Sequence, residues 1–219
     1  MDGSAKLIDL RKLLSERFPH LPARGATRLF TGLPVLDELT GGGLPQGAIT
    51  ELISPETSAG SASLIRALIS GAYRDNYFLA LIDGRDSFDP CDLHNAVLQH
   101  LLWVRCSKTA DAIKSADLLL RDGNFPLLIL DLVLNAPEEL RKIPQTNWYR
   151  LQRLIEAIPT ACLVLTRHRM VASAQLTLVL ENCWNLTTFE HHDLLSHLRI
   201  VVKRSHLRSD LEHQRSESG

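Results

Sequence analysis

A strand-like run, Ile49-Thr50-Glu51-Leu52-Ile53, leads into Ser54-Pro55-Glu56-Thr57-Ser58-Ala59-Gly60-Ser61-Ala62-Ser63 and then into helix-forming sequence. Small residues between a strand and a helix suit phosphate binding, because backbone N–H groups and the positive end of a helix surround the anion. The full chemistry also needs a lysine on the β- and γ-phosphates and a hydroxyl on magnesium, in the pattern G-x-x-x-x-G-K-[ST]. Here Ser54 stands at the first glycine. Without a gap, Ala59 falls on the second glycine and Gly60 on the lysine; with one inserted residue, these become Gly60 and Ser61. Neither register supplies a lysine, and none occurs between Lys12 and Lys108. The stretch alone permits two readings: a plain surface turn at a strand–helix junction, or a phosphate loop that has lost its cation.

The elements that must position this loop follow from periodicity. Short apolar runs alternate with helix-length segments from Thr31 onward, which is the pattern of βαβ units and a parallel sheet. The expected strands are Ile49–Ile53, Phe78–Asp83, Leu101–Cys106, Leu127–Leu132, Cys162–Thr166, Leu176–Leu180 and Leu198–Val202. The expected helices are Ser61–Arg74, Pro90–Leu98, Thr109–Arg121 and Trp148–Ile158. Strands apolar along their length suit a sheet covered by helices on both faces. The fold class is therefore α/β, a single domain with a mainly parallel twisted sheet between helices. An amphipathic helix is expected over residues 4–18, where Leu7, Leu10, Leu14 and Phe18 share one face, with a connector to residue 25. The core is expected over 26–204 and a polar tail over 205–219.

Composition excludes several classes of function. The chain has 219 residues, 24 Lys+Arg against 25 Asp+Glu and 5% aromatics. A net charge of -1 argues against a tail-driven nucleic-acid binder, and the scarcity of aromatics against serial base stacking. No apolar run approaches the roughly 20 residues of a membrane span, and the N-terminus does not read as a signal peptide, so the expectation is a cytoplasmic protein without membrane contact. Cys91, Cys106, Cys162 and Cys183 form no CxxC pair, and His191-His192 cannot face one ion together on regular structure, so no metal is expected. Cys106 and Cys162 read as buried small hydrophobes. No G-x-S-x-G or comparable nucleophile setting is present.

The residues before the loop add a more specific signal. Thr31-Gly32-Leu33-Pro34-Val35-Leu36-Asp37-Glu38-Leu39-Thr40-Gly41-Gly42-Gly43-Leu44-Pro45-Gln46-Gly47-Ala48-Ile49-Thr50-Glu51 resembles the segment T-G-x-x-x-L-D-x-x-L-G-x-G-G-L-P-x-G-x-I-x-E that precedes the phosphate loop of RecA-type ATPases. Pro55-Glu56 repeats the P-E of the RecA loop. Leu81 to Pro90 resembles F-I-D-A-E-H-A-L-D-P, Ala112 to Gly123 resembles E-I-A-D-M-L-V-R-S-G, and Leu127-Leu128-Ile129-Leu130-Asp131 takes the place of the Walker B strand. Leu163 to Met170 resembles the strand ending I-N-Q-I-R-M, and Leu198 to Lys203 resembles R-V-K-V-V-K. The likeness covers about residues 27–204 and implies a RecA-like fold.

The departures from that family bear on function. The RecA catalytic glutamate maps to Arg85, and arginine stays protonated and cannot serve as a base. The glutamine that senses the γ-phosphate maps to Arg167, the residue after Asp131 is Leu132 rather than serine, and the lysine is missing. Asp131 alone survives, in a position that also suits a structural role. Loss of the charge clamp and the general base each costs orders of magnitude in rate. The resemblance so implies no effective ATPase and no required cofactor, with ATP binding the exception to test through Arg85 or Arg167 as substitute cations.

A short chain with this altered loop most resembles the ImuA-type accessory proteins of mutagenic translesion synthesis. That likeness implies a bacterial DNA-damage (SOS) role exercised by binding a Y-family polymerase-like protein and a replicative-type polymerase subunit, or RecA. The alternatives are a weak ATP-binding RecA paralogue in recombinational repair and a non-catalytic subunit of a RecA-like hetero-ring. Arg167-His168-Arg169 and Arg199, Lys203 and Arg204 are candidate phosphate or DNA contacts, or solvated strand ends; DNA binding through them is expected to be weak and salt-dependent. The stretch from Met170 to Gln175 is too short to wrap a DNA backbone. Leu7, Leu10, Leu14 and Phe18 could pack on the chain's own core or on another subunit.

Overall fold

The computed structural model describes residues 28–56, 59–182, 195 and 197–205. A short antiparallel pair, β1 (Arg28–Leu29) and β2 (Leu44–Pro45), brackets helix α1 (Pro34–Thr40). The sequence then runs β3 (Ala48–Ile53), α2 (Ser61–Arg74), β4 (Leu79–Asp83), α3 (Asn95–Leu98), β5 (Leu101–Arg105), α4 (Thr109–Asp122) and β6 (Leu127–Asp131). It continues with α5 (Pro137–Arg141), α6 (Gln145–Ile155), β7 (Ala161–Thr166), β8 (Leu176–Leu180) and β9 (Ile200–Ser205).

Among the described residues the main sheet has seven strands in the order β5-β4-β6-β7-β3-β8-β9. All neighbours are parallel except β8 and β9. The order places β7 between the loop-bearing strand β3 and β6, the strand that ends in Asp131. This is the α/β architecture expected from the alternating pattern, and it is RecA-like.

Alternation along the strands splits the core in two. Leu79 and Leu81, Leu127 and Ile129, and Leu163 and Leu165 face one side, where they meet Leu64, Ile65, Leu68 and Ile69 of α2. Ala80 and Ile82, Leu128 and Leu130, and Cys162 and Val164 face the other, against Ile113 and Leu120 of α4 and Trp148, Leu151 and Ile155 of α6. Successive strand side chains point to opposite faces, so a strand covered on both sides must be apolar throughout. Cys106 and Cys162 lie in this interior, as expected, and burial pushes the Cys162 thiol up to about 12.

The motif before β3 is a structural turn. Asp37 accepts the Thr31 N–H at 3.0 Å, the Thr31 hydroxyl at 2.7 Å and the Gly32 N–H at 2.8 Å. The spacing T-G-x-x-x-L-D thus brings a carboxylate from α1 back onto the chain that enters it.

Several elements differ from expectation. The helix expected over Pro90–Leu98 shrinks to α3, because Asp89 draws the Cys91 N–H into a local turn at 2.9 Å and His94 is extended (ψ 146). Such side-chain-to-backbone bonds compete with helix formation. The helix expected over Trp148–Ile158 starts earlier, after Pro144, and ends at Ile155. The last strand is displaced to Ile200–Ser205, so Lys203 and Arg204 lie within it rather than at its end. The short elements α1, α5, β1 and β2 are too brief for periodicity to reveal. The helix expected over 4–18, with Leu7, Leu10, Leu14 and Phe18, and the tail after Ser205 lie outside the described residues.

Candidate functional site

Parallel strands bring their carboxyl ends to one edge, where open α/β sheets bind ligands. Here the ends of β3, β7, β6 and β4 stand side by side. The Ser54 N–H donates to the Thr166 carbonyl at 2.7 Å, so the loop after β3 starts pinned to the end of β7. Gly60, at φ 95, turns the chain into α2, a left-handed conformation that side chains resist. Ser61 is the first helical residue, so the register with one inserted residue is the one adopted: Gly60 stands at the second glycine and Ser61 at the lysine. Ser54, Pro55, Glu56, Ala59 and Gly60 form the described part of the loop, while Thr57 and Ser58 lie outside the described residues.

A cleft of about 490 Å³ opens between this loop and the ends of β6 and β4. Its ionisable lining is Glu56, Asp89, Asp131, Arg66 and Arg167. Arg66 is engaged by the Asp89 carbonyl at 3.3 Å and the Asp92 carboxylate at 3.2 Å. Arg167, half-buried at the end of β7, donates to the Pro55 carbonyl at 3.3 Å. It therefore reaches the loop from the neighbouring strand. Ile65, Phe88, Val133 and Leu134 supply apolar wall, and Leu134 is 55% exposed at the rim.

Asp131 is both structural and part of the cleft. One carboxylate oxygen accepts the Val133 N–H at 3.0 Å. Burial pushes its pKa up to about 6, a rise the Val133 bond opposes and the nearby Asp83 charge reinforces. Asp83 and Asp131 sit opposite each other in the ladder. Asp83 is committed to its own turn, accepting the N–H groups of Arg85 at 3.2 Å, Ser87 at 2.8 Å and Phe88 at 2.8 Å. The crossing of these strand ends is tight: a Cβ on Gly84 would meet the Asn135 side chain and the Asp131 carbonyl.

The two arginines that looked equivalent in sequence part company. Arg85 is exposed, donates to the Ser107 carbonyl at 3.4 Å and is not in the cleft lining. Its substitution for the missing lysine is corrected on that ground: two residues past Asp83, the chain has already turned toward α4. Arg169 lies on a separate groove with His168. Lys203 and Arg199 share Glu181, at 3.5 and 3.8 Å, on the β8–β9 edge. That carboxylate offsets the charge proposed for phosphate contact, and Arg204 in β9 is likewise far in the sheet order from β6 and β7.

In the sequence Glu51 stands out only as the last residue of the motif before the loop. Fully buried, it accepts the N–H groups of Met170 at 2.7 Å and Val171 at 3.0 Å, with the Thr166 hydroxyl at 3.4 Å. It thereby ties the turn after β7 to β3. Burial raises its pKa, and these bonds and the Arg169 charge only partly offset that rise. An acidic residue in an otherwise apolar strand was the available signal. Among the described residues no cluster of His, Cys, Asp and Glu could hold a metal, and no helix is long and apolar enough to cross a membrane.

A loop, a cleft and an aspartate at this point of this strand order invite comparison with known proteins. The chain is similar to RecA. It is 29% identical to RecA of Chlamydia abortus and 31% to that of Chlamydia trachomatis serovar D, in each case over 134 residues, 60% of this chain and 36% of the relative. It is 34% identical to RecA of Clavibacter michiganensis over 106 residues, 47% of this chain and 29% of the relative. The matched stretch thus spans about a third of the length of these relatives. No protein-family model matches the chain.

Proposed function

We propose that this protein is a RecA-like accessory factor of DNA repair that does not hydrolyse ATP and acts by binding other proteins. The observation that carries the reading is the charge of the cleft. Three carboxyl groups (Glu56, Asp89, Asp131) face two arginines, of which Arg66 is already paired, beside a loop whose lysine position holds Ser61. A triphosphate entering it meets net negative charge where phosphoryl transfer needs a cation. Arg85, which replaces the catalytic glutamate by resemblance, neither acts as a base nor reaches the cleft. The likeness to RecA supports a place in repair or recombination, and the resemblance to ImuA-type proteins favours translesion synthesis within it. The partners would be a Y-family polymerase-like protein and a replicative-type polymerase subunit, or RecA itself. The test is affinity capture from DNA-damaged bacterial cells followed by reconstitution with the purified partner: recovery of a polymerase-like protein or RecA at constant stoichiometry is expected. Steady Mg-ATP turnover by the purified chain would overturn the reading.

A second reading has one observation in its favour. Arg167 approaches the loop from β7 and is the cleft cation without a carboxylate partner among the described residues. A nucleotide held there without hydrolysis would raise the melting temperature in excess nucleotide, since a ligand that binds only the folded state stabilises it.

A further inference from the structure

Away from the cleft, α5, the segment joining it to α6, and the turn after β7 enclose a second groove of about 410 Å³. Its floor is aliphatic, from Leu140, Ile143 and Met170. Its rim carries two cations, Arg141 and Arg169, and the His168 imidazole; all three are exposed. Among the described residues neither Arg141 nor Arg169 takes part in an ion pair. Of the two acids on α5, Glu139 accepts the Thr109 hydroxyl at 2.9 Å, and the exposed Glu138, three residues before Arg141, forms none of the ion pairs among the described residues. The groove is also held in shape, since Glu51 grips the Met170 and Val171 N–H groups and the Gln145 side chain donates to the Met170 carbonyl at 3.3 Å.

We propose that this groove binds a short partner segment carrying carboxylates on either side of an aliphatic side chain. The aliphatic group would sit on Leu140, Ile143 and Met170, and the carboxylates would reach Arg141 and Arg169. Charge complementarity selects the occupant: cations at the rim and no paired acid to satisfy them. The lining contains no Phe, Tyr or Trp ring on which a base could stack, only the His168 imidazole at the rim, and the turn from Met170 to Gln175 is pinned rather than free to wrap a backbone. A peptide anchor fits those facts better than a nucleic acid. A volume of this size falls within the roughly 300–1,000 Å³ of small-ligand pockets, enough for a few side chains. The pre-formed floor spares the ordering cost that weakens flexible sites.

The assignment rests on reading the chain as a partner-binding protein, and its test separates the two. Fluorescence anisotropy on the full chain uses labelled peptides EDLLDE, QNLLNQ and EDSSDE and a thymidine 20-mer. EDLLDE binds best; the peptide without carboxylates and the one without leucines each bind about tenfold more weakly, the loss expected from two exposed ion pairs or a small apolar anchor. Arg141→Glu with Arg169→Glu abolishes EDLLDE binding and creates binding of KRLLRK. Both positions are exposed, and because Arg169→Glu reverses the charge that partly offsets the burial of Glu51, a modestly lower melting temperature is expected; the gained basic peptide shows that the variant is folded. Equal EDLLDE affinity in wild type and double variant, or tighter binding of the oligonucleotide than of EDLLDE by wild type, overturns the groove. If the double variant still captures the polymerase-like partner or RecA as wild type does, the groove fails while the partner reading stands.

Discussion

Replacing Glu51 separates a structural bond from a buried charge. The side chain is at 0% exposure; one oxygen accepts two backbone N–H groups at 2.7 and 3.0 Å, and the other has no partner. Glu51→Ala orphans both donors and leaves a void. At ~1–3 kcal/mol for each of the two unsatisfied buried donors, plus the void and less the relief of removing a desolvated charge, the cost is about 2–5 kcal/mol. That is a large share of the roughly 5–15 kcal/mol of a typical domain. Glu51→Gln keeps an oxygen in place and removes the charge. Because burial outweighs the bonds in setting the pKa, upward from 4.5, this change should cost under ~1 kcal/mol at pH 7. The sign of the pH effect follows. A carboxyl with a raised folded pKa holds its proton more tightly when folded, so its stabilisation is full below the unfolded value near 4.5 and is lost as pH rises through the folded value. Wild type should therefore lose ground to Glu51→Gln as pH rises. Urea unfolding of the three proteins over a pH series, followed by fluorescence of the buried Trp148, measures all of this. A Gln variant as damaged as the Ala variant, an Ala variant within about 1 kcal/mol of wild type, or a wild-type-to-Gln gap constant with pH would each refute the reasoning.

Asp131→Asn should stabilise the protein at pH 7.5 by on the order of 1–3 kcal/mol. The wild-type carboxyl, raised from 3.8 to about 6, gives up stability as pH climbs through that window, and the difference between their urea midpoints should vanish below it. Gly84→Ala places a Cβ against the Asn135 side chain and the Asp131 carbonyl. It should cost ~1–3 kcal/mol, read by calorimetry as a melting point several degrees lower; an unchanged melting point would mean the strand ends are looser than described. Ser61→Lys restores an ammonium at the first residue of α2. This variant should gain a thermal shift in excess Mg-ATP that wild type lacks, and equal shifts in both would contradict the charge-based account of the cleft.

The strands of the main sheet were legible as short apolar runs, and α2 was legible through its helical periodicity. Ser61–Arg74 matches its expected bounds because small residues precede it and its apolar stripe faces one side of the sheet. The helix expected over Pro90–Leu98 was legible in its end but not in its late start at Asn95, since that depends on Asp89 competing for a nearby N–H, and local side-chain bonds leave no periodic trace. The likeness of the loop after β3 to a phosphate loop, and its lack of a lysine, were visible in the chain, but the register was not. Two alignments differ by one residue, and only the backbone turn at Gly60 chooses between them.

By itself the sequence determined the class of fold, the loss of the lysine, and the presence of arginines near strand ends. These depend on residue type and on spacing along one element. Tertiary structure alone decided which arginine matters at the cleft: Arg167 leaves β7 beside β3, whereas Arg85 leaves β4 two strands further on and turns toward Ser107. It also gave Glu51 its role, through N–H groups 119 and 120 residues away in the chain. Strand order converts distant positions into neighbours, and no local pattern encodes that order because the contacts setting it act between segments that are each self-consistent alone.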